Sequence, residues 1–471
     1  MNTITENIEG THHVAQTDTH AWRPDVWTRV VYAVLLVAVW PCVVYGFVMD
    51  EFFPAVNVDC LRPWLWFGAN CLIIITGMAL MRNRRDWAVL LVFGVIAITS
   101  AFVNDTGFKV FISGCRDYVG LVFVMPILRY LLSGERRQWF MARFDRQCLV
   151  YLGLQFACIF WQYFRYGAND HGGGTWGNGF SGVVSVSIYL LSFTLMAHRW
   201  NKRRTYLCNI TANWVMLLML LPTFFNETKI SFVLLAMYLV LLIPFNRHFL
   251  RRVTVMMPVV VLMSVLFACA FVLTTNKLDK LQIAVNEVQM NFVNDDREQL
   301  IIEDVRNYYY DHSYETHTQW VTDLPRLTKI RLSDDMMNNA TGGWLLGAGV
   351  GQIRRTSFVE PTPFYKKYAW VLQGTRLGYI QVLVHLGLIG IAWLLMTMVF
   401  ATGVANHNGP LGINTKVLFV MLFVITLFYA DVLRITPFMV LLLYSVACTS
   451  VAPGADGDYR RLWWRRLLRR A

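Results

Sequence analysis

Any chemistry in this chain rests on cations and glycine-rich turns, because no cysteine or histidine spacing matches a metal site. Arg354, Arg355, Lys366, Lys367 and Arg376 share a polar stretch with few acidic neighbours, and Arg326, Lys329 and Arg331 precede them. Arg116, Arg165 and Lys229 lie in shorter polar connections. A guanidinium binds phosphate through two parallel hydrogen bonds, so such a set suits an anionic lipid head group such as a pyrophosphate. Part of it also serves as counter-charge to Asp295, Asp296, Glu298, Glu303 and Asp304 on a solvated face. Three short segments accompany the cations. Residues 171–182, His-Gly-Gly-Gly-Thr-Trp-Gly-Asn-Gly-Phe-Ser-Gly, allow close backbone approach and open amides to an anion or sugar, and a tight turn explains them equally well. Residues 226–230, Asn-Glu-Thr-Lys-Ile, set Glu227 and Lys229 at the edge of an apolar block, as an ion pair or as functional groups. Residues 344–352, Trp-Leu-Leu-Gly-Ala-Gly-Val-Gly-Gln, run toward Arg354 and lack the strand–helix context of a nucleotide fingerprint.

The elements that must position these residues are membrane helices. The chain is 56% hydrophobic and 15% charged, against about a quarter charged in soluble domains. Apolar blocks at 30–48, 65–81, 87–103, 253–273 and 377–400 approach or exceed the ~20 residues that cross a hydrocarbon core. None alternates as a β-barrel strand does. Arginine-rich clusters at 82–85, 136–146, 199–204, 247–252 and 460–470 occupy every second connection, the pattern of cytoplasmic loops. The net charge of +12 therefore orients helices and meets anionic lipid, and nucleic acid is not expected as a partner.

The expected fold is an all-α polytopic membrane protein of about twelve transmembrane helices with both termini cytoplasmic. Residues 1–26 form a polar tail without a cleavable leader, 27–274 hold transmembrane helices 1–9, and 275–375 form one large extracytoplasmic loop of short helices. Residues 376–450 hold transmembrane helices 10–12, and 451–471 form a basic cytosolic tail. The expected spans are 27–49, 64–81, 87–104, 118–133, 147–164, 181–198, 207–224, 229–246, 253–274, 376–400, 415–431 and 434–450. In the long loop, helical stripes at Leu278, Leu281, Val285, Val288 and Phe292, and at Ile301, Val305, Tyr308 and Tyr309, read as helices packed on the outer surface. A loop of that size also has room to form a lid over a site. Cys60 and Cys115 fall in outer connections, where an oxidising compartment permits a bridge, while Cys71, Cys158, Cys269 and Cys448 read as apolar packing.

Taken in order, the segments resemble the bacterial O-antigen and capsular polysaccharide polymerases, the Wzy-type branch of the O-antigen polymerase/ligase superfamily. Members carry Asp then Gly-Gly-Thr-aromatic-Gly before a span, matched by 170–177, and Glu-Thr-Lys leading a later span, matched by 227–229. They carry Leu-Leu-Gly-x-Gly-x-Gly after a large outer loop, matched by 345–351, and a Gly-Leu-Ile-Gly signature, matched by 387–390. The likeness covers roughly residues 100 to 400, and only the ordered set is specific.

The resemblance implies a GT-C-like architecture in the bacterial inner membrane and a glycosyltransferase that needs neither metal nor cofactor. Its donor and acceptor are undecaprenyl-pyrophosphate-linked glycans, with membrane lipid and a chain-length regulator as further partners. A hydroxyl of one lipid-linked repeat attacks the anomeric carbon of another, and the lipid pyrophosphate leaves. On this reading Arg116, Arg354, Arg355 and Arg376 hold the pyrophosphate, with Lys229 and Arg331 behind them. Asp170, Glu227 and His317 are the candidates for a base. One feature departs from the family: relatives start the helix after the loop with His-Asn or His-Ser, whereas 374–379 read Gly-Thr-Arg-Leu-Gly-Tyr. His385 lies about 13 Å of helix further on and does not inherit that role. Two alternatives stand beside the polymerase. One is a metal-dependent glycosyltransferase using a polyprenyl-phosphate sugar, with Asp50 and Glu51 as its acids unless they are simply solvated charge. The other is a lipid-linked glycan flippase, which the lack of an internal repeat and the large loop disfavour.

Overall fold

The structure, a computed structural model, describes residues 24–54, 58–167, 172–199, 206–225, 324–353, 360–372, 377–402 and 432–450, with isolated stretches between 231 and 307 and between 419 and 428. Among the described residues all regular structure is helical. The helices are α1 (Val26–Phe52), α2 (Val58–Leu80), α3 (Arg84–Val103), α4 (Phe108–Cys115), α5 (Val119–Leu131), α6 (Arg136–Tyr166) and α7 (Ser181–Arg199). Then come α8 (Tyr206–Ala212), α9 (Trp214–Leu218), α10 (Pro222–Phe225), α11 (Arg326–Asn338), α12 (Gly343–Leu346), α13 (Pro363–Tyr368), α14 (Gly378–Thr402) and α15 (Thr436–Ser450). Among the described residues, five helical segments are long and apolar enough to cross a membrane: Val26–Phe52, Leu61–Leu80, Arg84–Val103, Phe108–Leu131 and Gly378–Phe400.

Burial sorts these helices into layers. α15 and α7 are buried on nearly every side: Phe438, Met439, Val440, Tyr444, Val184, Ile188 and Met196, and the small polar Ser185, Ser187, Ser192 and Thr194, are essentially without exposure. Helices with no charged face in their central turns suit the interior, and α15 packs against α1, α5, α7 and α14. α2 and α3 stand at the edge, with only a third of their apolar windows covered, which suits helices that face lipid. The described part of the long loop forms a second, smaller core: Met336, Met337, Tyr368 and Val371 pack on Leu383 and Val384 of α14. Val305, from the expected stripe, is buried in that cluster, while 278–292 lie outside the described residues.

Polar contacts gather at two opposite ends of the bundle. At the start of α1, Thr28 meets the Tyr130 hydroxyl at 3.1 Å. Asp86, at the start of α3, pairs with Arg129, and Asp145 joins His198 at 2.9 Å and Tyr444 at 2.7 Å. This end carries Arg84, Arg85, Arg136 and Arg143. The other end holds Glu51 with Arg165 at 2.9 Å, and Asn104 with Gly347 at 3.0 Å. Successive helices therefore run in alternate directions, as the charge pattern requires.

Several expected boundaries move. The fourth span begins at Phe108 rather than 118, so Arg116 and Cys115 lie inside a helical span and not in an outer loop. Cys115 is a free thiol, and the side chain of Cys60 lies outside the described residues. The expected helix 207–224 is three short pieces, because Asn213, Pro222 and the turn between them interrupt it. α14 is not continuous: Gly387 takes φ 65° and ψ −162°, outside helical space. The spans at 229–246, 253–274 and 415–431 fall mostly outside the described residues.

Candidate active site

Arg116 places a cation on the wall of a cavity. Helices α4 and α5 meet at a 3-10 turn, Arg116–Tyr118, and with α2 and α3 they enclose about 730 Å³. The lining is mostly apolar, from Trp64, Phe67, Ile74, Leu90, Phe93 and Val122, and Lys109 and Arg116 are its cations. Trp64, Phe67, Phe108 and Ile112 of this wall remain more than half exposed on the outer surface of the bundle. An apolar slot of this size that opens laterally and carries basic groups suits an amphiphile with an anionic head.

Behind the slot lies a layer of buried polar side chains. The Asp117 carboxylate, 4% exposed, accepts from Gln381 Nε2 at 2.9 Å and faces Arg434 Nε at 3.7 Å. The Tyr118 hydroxyl lies 3.2 Å from His385 Nδ1. Gln381 and His385 are one helical turn apart, so a single face of α14 grips two adjacent side chains of the 116–118 turn. Thr436 Oγ1 reaches Asn70 Oδ1 at 2.5 Å and ties α15 to α2 in the same region. Asn70, Arg116 and Tyr118 also line the cavity, so layer and slot are continuous. Gln381 Oε1 is buried and receives no hydrogen bond among the described residues.

Both glycine motifs are re-entrant turns at the end that holds Glu51. In the first, Thr175 and Trp176 are buried against α6 and α1. Gln162 Oε1 accepts from the Gly174 amide at 2.8 Å, and Gln155 Oε1 from the Thr175 amide at 3.0 Å. The Trp176 indole donates to Tyr151 at 2.9 Å, and Asp50 Oδ2 accepts the Asn178 amide at 2.7 Å. These amides are taken by the protein itself, so the tight-turn reading holds and the open-amide reading fails for them. Gly46 lies directly under the Trp176 carbonyl, where a Cβ would collide.

In the second motif, Asn104 accepts the Gly342 amide and donates to the Gly347 carbonyl, both at 3.0 Å. The Ala348 amide donates at 2.7 Å to Val384, a carbonyl left without its helical partner by the Gly387 break. Gly351 then lies against the backbone at Gly114.

Of the nine residues expected to hold the pyrophosphate or act as base, Arg116 and Arg331 lie among the described ones. Arg331 is exposed on α11 and does not line the cavity, so the structure does not join it to Arg116. Asp170, Glu227, Lys229, His317, Arg354, Arg355 and Arg376 lie outside the described residues. Asp50 and Glu51 are not solvated charge. Glu51 is 7% exposed, and its Oε2 accepts from Trp161 at 3.1 Å, Arg165 at 2.9 Å and Tyr166 at 3.4 Å. Sequence reasoning missed Asp117, Gln381, Gln155 and Gln162. For Gln155 and Gln162 a signal was available, since a buried-looking helix face with Gln at positions seven apart is a polar feature inside a span. No family model matches the chain, and neither does any curated protein sequence.

Proposed function

We propose that the chain polymerises polyprenyl-pyrophosphate-linked oligosaccharide repeats at the outer face of the bacterial inner membrane, as a metal-independent glycosyltransferase. The observation that carries this is the laterally open apolar cavity with Arg116 and Lys109 on its wall. A polyprenyl chain fills the slot and the guanidinium takes the phosphates. Two contacts support a shared site for the remaining arginines. Gly351, three residues before Arg354, packs on Gly114, two residues before Arg116. Gln381, five residues after Arg376, bonds Asp117, the neighbour of Arg116.

In the reaction the acceptor hydroxyl forms a bond to the donor's anomeric carbon while the bond from that carbon to the pyrophosphate breaks. The electron pair leaves on the pyrophosphate, and the hydroxyl proton passes to a base, for which Asp170, Glu227 and His317 remain the candidates. Fixed guanidinium groups stabilise the charge developing on the leaving oxygen.

A flippase for lipid-linked glycan is the second reading, favoured by the break at Gly387, since transporters place broken helices at their substrate sites. The glycan profile of a strain lacking the gene decides. Single repeats accumulating on the outer leaflet are expected. Repeats trapped on the inner leaflet would transfer the assignment to a flippase.

A further inference from the structure

Helix α6 is longer than a membrane requires. Its 31 residues extend about 46 Å, against ~30 Å for a hydrocarbon core. Arg165 and Tyr166 fix its last turn beside Glu51, so its first three turns, from Arg136, stand at head-group depth at the opposite end. One face of these turns is closed by packing. Phe140 and Phe144 are buried there, with ring centroids 5.6 and 4.2 Å from that of Tyr444 on α15. Arg136, Trp139, Arg143 and Arg146 recur at i, i+3, i+7 and i+10 and form a separate stripe. Arg143 and Arg146 are exposed, and Arg136 is half-buried.

Two guanidiniums of the stripe are seated on aromatic rings. Arg136 lies over Tyr130 at 4.0 Å and donates to Ser133 Oγ at 3.2 Å. Arg143 lies over Trp139 at 4.8 Å, and Trp139 meets Tyr32 of α1 edge-on at 5.3 Å. A ring beneath a guanidinium covers its face and leaves the N–H edge for a carboxylate or phosphate. Among the described residues Arg136, Arg143 and Arg146 form no salt bridge. The acids of this end are engaged elsewhere, Asp86 with Arg129 and Asp145 with His198 and Tyr444. Asp25 lies within electrostatic reach of Arg136, but it caps α1 by accepting the Thr28 amide at 3.1 Å. Glu135 is exposed to solvent.

A charge that only orients a span needs no ring beneath it. Donor edges fixed at head-group depth complement a lipid phosphate, and a guanidinium already held loses less freedom on binding it. We infer that Arg136 and Arg143, seated on Tyr130 and Trp139, form a binding site for the phosphate of an anionic phospholipid in the adjoining leaflet. Arg146 adds charge to it. The site does not depend on the glycan chemistry.

The test titrates the full-length protein, purified in detergent, with phosphatidylglycerol or with phosphatidylcholine of the same acyl chains. Retained lipid is counted by native mass spectrometry. The wild type is expected to retain phosphatidylglycerol at about 10-fold lower concentration than phosphatidylcholine. R136Q/R143Q should raise the phosphatidylglycerol concentration about 10- to 100-fold, the range for lost hydrogen bonds to a charged group. Unchanged phosphatidylcholine retention shows that this variant is folded; where it falls too, R136K/R143K carries the comparison. That lysine variant keeps the charge, loses the stacked fork and should weaken phosphatidylglycerol retention several-fold. R84Q/R85Q removes equal charge at the same end, from exposed arginines without a ring contact among the described residues, and should follow the wild-type curve.

Equal loss in R84Q/R85Q and R136Q/R143Q would reduce the stripe to diffuse surface charge and overturn the site. Wild-type retention by R136K/R143K, or equal retention of the two lipids by the wild type, would overturn it as well. Inorganic phosphate at the same concentration should not displace the lipid. Displacement would make the ligand a free anion and overturn the lipid assignment.

Discussion

At the scale of the residue, the distinction that matters is between a charge and a fork. Arg116, Arg354, Arg355 and Arg376 are assigned to two phosphates, and lysine at any of them keeps the charge while losing the second parallel hydrogen bond. Loss of one transition-state donor costs about 100- to 1,000-fold in rate. Arg→Lys at one or more of the four should therefore cripple chain extension while the protein still inserts. Long-chain glycan in a complemented deletion strain, normalised to membrane-protein level, is the measurement, and wild-type chains from all four variants would refute the clamp. Asp50 offers a second contrast. Its oxygen accepts the Asn178 amide at 2.7 Å, a task asparagine can perform and leucine cannot. Asp50→Asn should leave activity near wild type and insensitive to chelator, whereas Asp50→Leu should loosen the turn by ~1 kcal/mol. Activity lost in Asp50→Asn, or lost on chelation and restored by Mg²⁺, would favour the metal-dependent alternative.

At the scale of the element, non-helical backbone inside a membrane bundle must find its hydrogen bonds in protein. The Gly174 and Thr175 amides find theirs on Gln162 and Gln155, and the Val384 carbonyl freed at Gly387 finds the Ala348 amide. The two turns are thus built by side chains of α6 and by the break in α14, not by the glycines alone. Gln155→Leu strands the buried Thr175 amide, at about 1–3 kcal/mol. Gly46→Ala forces α1 off the Trp176 carbonyl at a similar cost. Both variants should lower the unfolding midpoint of the purified protein and expose 172–179 to protease. An unchanged midpoint in both would show that the turn is not held as described.

At the scale of the whole molecule, alternating helix direction places Arg84 and Asn178 at opposite ends, each at an exposed position. Lys367 is exposed in the packed part of the long loop. Single cysteines at 178 and 367 in an otherwise cysteine-free protein should react with a membrane-impermeant maleimide in intact cells, and one at 84 only after permeabilisation. Labelling of 367 from the cytoplasmic side would remove the long loop from the outer face and with it the proposed chemistry.

Hydropathy and charge spacing alone determined the helical class, the limits of α1, α3, α7 and α14 to within a few residues, and the alternation of direction. These properties depend on transfer to lipid and on loop charge, both of which are local in sequence. The glycine motifs were legible as turns but not as turns clamped by Gln155, Gln162 and Asn104, because the clamps come from other helices. Arg116 was singled out by its type, yet it was assigned to a loop, since the Gly-containing run 108–115 is too short and mixed to read as the start of a span. The buried layer of Asp117, Tyr118, Gln381, His385 and Arg434 joins positions more than 250 residues apart, with Asp117 and Gln381 separated by 264. Only the packing of α14 and α15 on the 116–118 turn decided that layer, because each side chain alone carries a desolvation cost that nothing adjacent in the sequence offsets.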